Sequence, residues 1–286
     1  MLVWGSSYVA MKFALQAYHP LLVVFGRVAI ATLIFLIFRK RLGGFPYQRG
    51  DWKYLGVMAL CEPCLYFLFE SYALTYTSAS QAGIVAALLP VSVTLMAALF
   101  LNERTSLSAI AGFGMAVIGI TIITLAGSAT RNAPNPLLGN LLEVMAILCA
   151  SVYTILARYL SRRYSPWCLT AIQMGSGALF FGPVLLLSSA SLPTSWAAGP
   201  SLALVYLGGC VSVLAYGLHN YGLQHVSASR ASAFVNLIPV FAVLLGWWFF
   251  DERLTWLQFG GMGLVLLGVW LSSMPGRVPE KATAAS

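Results

Sequence analysis

Charge is the first scarcity. Only 8% of the 286 residues are Asp, Glu, Lys or Arg, and just 8 of them are acidic. A soluble domain carries about 25%. Too few groups exist to wet a globular surface, which excludes a soluble enzyme, a disordered chain and a coiled coil. The formal net charge is +8, with a pI near 9.4, but the basic residues are scattered rather than gathered on one face, so nucleic acid is not an expected partner. The 5 cysteines lie mostly inside apolar runs and do not form the disulfide framework of a secreted domain. Cys61-Glu62-Pro63-Cys64 has C-x-x-C spacing but no second pair, so no metal site is expected. No N-x-[ST] sequon occurs, and the N-terminus has neither the charged region nor the cleavage site of a signal peptide. Motifs of nucleotide, diphosphate or zinc chemistry are missing, as is a conspicuous Ser/His dyad. An enzyme, an ATP-driven pump and a bound cofactor are therefore not expected.

Apolar residues are what the chain has. They make up 59%, and mean hydropathy is +0.84. A membrane span needs about 20 mostly apolar residues. Runs bounded by breaker residues fall at 2–18, 21–38, 54–74, 78–101, 106–126, 137–160, 167–187, 201–223, 227–250 and 255–273. They are apolar all round, unlike the alternating strands of a membrane barrel. The expectation is an all-α polytopic membrane protein of ten transmembrane helices, with a disordered tail over 274–286. Connections are short except 39–53, 127–136 and 188–200.

Basic residues set orientation. With the N-terminus cytoplasmic, twelve of the 16 basic residues fall on the cytoplasmic side, including Arg39, Lys40, Arg41, Arg49, Lys53, Arg104, Arg158, Arg162, Arg163 and Arg230. Arg131 and Arg253 fall outside, and Lys12 and Arg27 lie within spans. Both termini are then cytoplasmic.

Displaced by 149 residues, the chain resembles itself. Ser78-Ala79-Ser80 falls on Ser227-Ala228-Ser229, Pro90-Val91 on Pro239-Val240, and Glu103-Arg104 on Glu252-Arg253. Gly112, Gly114 and Gly119 fall on Gly261, Gly263 and Gly268, and 14 of 45 positions from 78 to 122 are identical. Upstream, Cys61 matches Cys210 and Tyr72 matches Tyr221; at a slightly different offset Tyr18-His19-Pro20 matches Tyr164-Ser165-Pro166 and Lys12 matches Arg158. The unit is five spans used twice, at 1–126 and 137–273. Five is odd, so the second copy enters the membrane from the opposite side. Two inverted copies are the architecture of many secondary transporters, because exchanging the conformations of the halves turns an outward-open cavity inward.

At Trp4-Gly5-Ser6-Ser7, Arg27, Tyr76-Thr77-Ser78-Ala79, Leu89-Pro90-Val91, Glu103-Arg104, Ser227-Ala228-Ser229, Ile238-Pro239-Val240 and Glu252-Arg253, the chain resembles a ten-helix, EamA-type member of the drug/metabolite transporter superfamily. The likeness covers all but the tail. It implies a bacterial inner-membrane carrier that often exports amino acids or other metabolites. The expected partners are a small-molecule substrate, the lipid bilayer and protons, with the chain a monomer or homodimer. Family members usually have about half a helix before the Trp-Gly-Ser motif; only three residues precede Trp4 here, so a start further upstream is expected.

Residues for the chemistry follow from depth. Pro90 and Pro239 sit near the middle of their spans, where proline removes an N–H and frees carbonyls near Ala86 and Val235. Such backbone is tolerated where protein or a water-filled cavity satisfies it, so the pair is expected to line a cavity. Ionisable residues inside spans are expensive and functional by default; here they are Lys12, Arg27, Glu62, Glu70, Glu143 and His219. Arg27 and Glu70 lie about 9 Å and 6 Å below the outer boundary and are expected to form a structural ion pair. Glu143, also near the outer end, is expected to snorkel or to be hydrogen-bonded. Glu62 lies about 18 Å deep, with no basic residue at its level. A carboxylate there suits proton coupling, or binds a substrate ammonium. Trp4, Tyr8, Tyr66, Tyr153, Tyr216, His219 and Asn236 complete the expected substrate-binding set with Glu62. Trp52, Tyr54, Trp167, Trp196, Trp247 and Trp248 are read as interfacial belt or packing residues, and the Gly sets of the fifth and tenth spans as close helix packing. Competing readings are a lipid or lipid-linked sugar flippase of the same fold, a channel, and an intramembrane enzyme.

Overall fold

The computed structural model describes residues 1–42, 47–101, 107–188, 193, 195–226, 231 and 234–273. The expectations placed on Glu103, Arg104, Ser227, Ala228, Ser229, Arg230 and the tail 274–286 lie outside those residues. The architecture is helical: α1 Leu2–Leu15, α2 Pro20–Ile37, α3 Asp51–Ala59, α4 Tyr66–Tyr76, α5 Ala79–Val85, α6 Leu89–Leu101, α7 Leu107–Leu125, α8 Pro136–Leu160, α9 Pro166–Leu187, α10 Ala198–Tyr206, α11 Tyr216–His225, α12 Ile238–Phe250 and α13 Trp256–Ser273. Short non-α turns fuse α3 with α4, α5 with α6, and α10 with α11 into longer rods. Among the described residues seven helical segments are long and apolar enough to cross a bilayer, and Phe234–Phe250 and Trp256–Ser272 are shorter apolar ones. The chain is an all-α, multi-pass membrane protein.

Local chemistry starts these helices where the sequence breaks. At α2 the His19 ring accepts the Leu21 N–H at 3.2 Å ahead of Pro20, and at α9 the Ser165 hydroxyl accepts the Cys168 N–H at 3.1 Å ahead of Pro166. Proline at the first helical position loses nothing, since its N–H would have no partner in the helix. Asn135 and Ser78 cap α8 and α5 in the same way, accepting from Leu138 and Gln81.

Two rods are interrupted at matching places. The α3–α4 rod passes through a π-helical stretch, Leu60–Leu65, in which Glu62 is extended (φ −148°, ψ 115°) ahead of Pro63. The α10–α11 rod passes through a π-helical stretch at Leu207–Ala215. The 149-residue register places 60–65 on 209–214, inside that second stretch. A second pair of interruptions is 3₁₀: Ala86–Leu88 before α6 and Phe234–Leu237 before α12. Pro90 and Pro239 therefore stand in the first turn of an α-helix resuming after the break, rather than in the middle of a continuous helix.

Glycines bring α7 and α13 into backbone contact. A Cβ on Gly112 would lie 2.3 Å from the Gly268 carbonyl oxygen, and one on Gly119 would lie 2.6 Å from that of Gly261. The pairing descends along α13 as it ascends along α7, so the two helices run antiparallel. Elsewhere Asp51, at the start of α3, accepts the Tyr164 hydroxyl at 2.7 Å and pairs with Arg163 at 3.0 Å. Burial, reinforced by the Asp51 carboxylate, pushes the Tyr164 hydroxyl up to about 12, so it stays a donor.

Candidate functional site

The interruptions meet at a cavity between the N-terminal and C-terminal halves of the chain. Trp4, Ser7 and Tyr8 come from α1, Arg27 from α2, Glu62 from the first π stretch, and Tyr66 and Glu70 from α4. The other half supplies Tyr153 and Thr154 from α8, Val211 from the second π stretch, and Tyr216 and His219 from α11. Ala86, Leu89, Val235 and Ile238, beside the two 3₁₀ turns, close it. Free space between these atoms is about 500 Å³, but the part wide enough for water is about 40 Å³, room for roughly three molecules.

The fold thus brings Trp4, Tyr8, Glu62, Tyr66, Tyr153, Tyr216 and His219 to one void. It places Asn236, Pro90 and Pro239 beside that void rather than on it. The reason is helical phase: Val235 and Ile238 turn inward, while Pro90 and Pro239 act through the turns they follow. Asn236 Oδ1 is buried without a hydrogen-bond partner among the described residues.

Arg27 is 1% exposed and Glu70 4%. Arg27 Nη1 lies 3.2 Å from Glu70 Oε2, and its Nε donates to Ser212 Oγ at 3.2 Å. Its guanidinium also stacks 4.0 Å from the centre of the Phe67 ring. Tyr66 donates its hydroxyl to the other Glu70 oxygen at 2.9 Å. Arg27 shares the void with Glu62, which corrects the expectation that no cation reaches that level: depth arithmetic locates a Cα, and an arginine side chain extends well beyond it.

Glu62 is 3% exposed, and its Oε2 has no hydrogen-bond partner among the described residues. Glu143 is fully buried rather than snorkelling. Tyr8 donates to its Oε1 at 2.9 Å, and its Oε2 is unpartnered. Trp4 Nε1 and His219 Nε2 are also buried without a hydrogen-bond partner among the described residues. Their rings lie 4.7 Å apart, and Trp4 sits edge-on to Tyr216 at 5.3 Å. Four polar atoms around one void, counting Glu143 behind Tyr8, have no protein partner among the described residues, and the space beside them is wide enough for water.

Sequence reasoning missed the support beneath Tyr153. Asn220 accepts the Tyr153 hydroxyl at 2.8 Å and donates to Thr170 at 2.9 Å and Gln173 at 3.0 Å. In the sequence Asn220 is simply the neighbour of His219, and Thr170 and Gln173 are ordinary polar residues within a span. It also missed Ser212, because a serine in an apolar run carries no signal of its partner. Trp167 is the packing residue among those read as belt or packing: a Cβ on Gly217 would approach its ring to 2.2 Å. Trp52, Tyr54, Trp196, Trp247 and Trp248 are exposed.

The model of the EamA-like transporter family matches residues 1–125 and again 137–274. The chain belongs to that family. It is 30% identical over 278 residues to an uncharacterized transporter of Archaeoglobus fulgidus, covering 94% of each chain. It is 25% identical over 274 residues to a probable terminal-alkyne amino-acid exporter of Streptantibioticus cattleyicolor, covering 95% of this chain and 90% of the relative. A solved crystal structure superposes with a TM-score of 0.65 at 22% identity, covering 95% of this chain and 93% of the other, a likeness of fold alone. This EamA-like protein is therefore a membrane transporter by family, and a small-molecule substrate fits it.

Proposed function

We propose that this EamA-like protein is a secondary active transporter that exports a small organic metabolite, an amino acid or a related compound, by alternating access, with protons coupled through Glu62. Ten spans form two inverted five-helix units in the bacterial inner membrane, both termini cytoplasmic, as a monomer or homodimer. The observation that carries the reading is the void between the halves, bounded on both sides by interrupted helices and holding a buried carboxyl oxygen without a partner. Breaks at matching positions of the two units free backbone where a solute passes. A buried carboxyl that faces water from either side in turn can take up a proton on one side and release it on the other. The amino-acid exporter among the relatives supports the cargo class.

Purified protein in liposomes should exchange such a solute without nucleotide. Saturable counterflow with a panel of amino acids and their derivatives supports the reading, and its absence across the panel ends it. Flipping of labelled phospholipid without solute exchange would transfer the assignment to a flippase. Glu62→Gln should abolish flux driven by a pH gradient while sparing expression; unchanged pH-driven flux removes the coupling role.

A further inference from the structure

Given the transport reading above, the charge of the cargo follows from the acids and bases around the void. Three carboxyls surround it: Glu62 and Glu70 on its wall, and Glu143 behind Tyr8. One guanidinium, Arg27, answers them, and it is already committed to Glu70 and Ser212. The other cations of the spans face elsewhere. Lys12 donates to the carbonyls of Leu74, Thr77 and Asn132, and Arg158 to those of Leu223 and Gln224. Glu62 and Glu143 are left with unpartnered oxygens. A buried carboxyl with an unmet oxygen either keeps its proton or holds a cation, and an ammonium brought beside Glu62 supplies that cation. Among the described residues, a carboxylate or phosphate brought to the same place would meet the ring nitrogens of Trp4 and His219 but no arginine or lysine other than Arg27, and to use that guanidinium it would have to displace Glu70. The apolar part of the wall is aromatic, with Trp4 and Tyr216 rings 5.3 Å apart, and ring faces favour an ammonium or an aryl body.

We propose that the cavity takes organic amines with an apolar or aromatic body, the amine held by Glu62, in preference to free amino acids and organic acids. The cargo is then the decarboxylated or carboxyl-capped relative of an amino acid. Glu62 supplies the carboxylate because its extended backbone, next to Pro63, turns the side chain out of the helical ladder and into the void.

The test is a series matched in body and differing in charge: tryptamine, tryptophan and indole-3-acetate, each measured by counterflow in liposomes and by thermal shift. Tryptamine is expected to exchange at least about tenfold faster than the other two, the worth of one modest charge contact. Glu62→Gln should erase that preference and Glu62→Asp should keep it, each variant first shown to melt within a few degrees of the parent. Equal or faster exchange of tryptophan or indole-3-acetate overturns the assignment, as does an amine preference that survives Glu62→Gln. Exchange of some other solute with none of the three also overturns it and leaves the transporter reading standing. Exchange of no solute at all ends both.

Discussion

At the scale of the residue, the cavity is governed by one rule: a charge taken out of water must find a partner. Arg27 and Glu70 find each other, with Tyr66 and Ser212 filling the remaining bonds. A pair this deeply buried adds little over an apolar pair of similar size, but losing one member is severe. Arg27→Met should therefore lower stability by about 3–5 kcal/mol, seen as a fall in melting temperature in detergent, and Arg27→Met with Glu70→Gln should recover most of it. A double variant no more stable than the single one would mean the two side chains do not depend on each other. Tyr8 is the comparable support for Glu143, donating at 2.9 Å to a carboxyl that has no other partner among the described residues. Tyr8→Phe should cost about 1–3 kcal/mol, because it leaves a buried acceptor unmet. A melting temperature within a degree of the parent would count against that bond.

Among the elements, small residues and helix-end caps decide which rods touch. Gly112 and Gly114 are two residues apart on α7 and make opposite predictions. A Cβ at Gly112 would sit 2.3 Å from a backbone oxygen of α13, whereas a Cβ at Gly114 meets nothing within 4 Å. Gly112→Ala should destabilise by about 1–3 kcal/mol, since neither backbone can retreat without parting the helices. Gly114→Ala should be neutral or stabilising by up to about 1 kcal/mol, because glycine is a poor helix former. Similar melting curves for the two variants would show that α7 and α13 are not apposed as described. The caps behave as a pair. Lys12 of α1 donates to the Leu74 and Thr77 carbonyls at the end of α4, and Arg158 of α8 donates to those of Leu223 and Gln224 at the end of α11. Lys12 matches Arg158, and Leu74 matches Leu223, in the registers read from the repeat. A cation on the last carbonyls satisfies groups that a helix leaves open and complements its dipole. Lys12→Met and Arg158→Met should each cost about 1–2 kcal/mol, and a cost at only one of them would break the parallel.

For the molecule as a whole, apolar runs with Gly, Pro and Ser punctuation made the spans legible, because in lipid a backbone has few alternatives to a helix. Composition likewise made the membrane class legible. The π-helical stretches were not, since residues such as Gly208 and Gly209 in an apolar run read as ordinary span. Nor were the anchors of Lys12: its acceptors are backbone carbonyls, which every residue has. Around the cavity, expense marked Arg27, Glu62 and Glu70, whereas Thr170, Gln173 and Ser212 look like any polar residue that a helix can tolerate. What the sequence could carry only as symmetry is motion, and one contact lets it be tested. Glu252 follows α12 and accepts from the Ala79 and Ser80 backbone N–H groups at 3.0 and 2.8 Å and from the Ser80 hydroxyl at 2.6 Å, tying α12 to the start of α5. Just beneath it, a Cβ on Gly246 would lie 2.5 Å from Ser80 Oγ. The alternating access proposed above requires these ends of α5 and α12 to separate once per cycle. Ser80→Cys with Gly246→Cys, in a background freed of Cys61, Cys64, Cys149, Cys168 and Cys210, should cross-link on oxidation, since the two β-carbons lie close enough for a disulfide. Comparing the oxidised and reduced forms of that one protein cancels any harm from the substitutions themselves. Counterflow should fall by about tenfold or more on oxidation, in proportion to the fraction cross-linked, and return with reductant, as expected when a step that must open is tied shut. Undiminished counterflow in fully cross-linked protein would mean that this end stays closed throughout the cycle, and the halves would then have to pass their cargo by some route other than rocking.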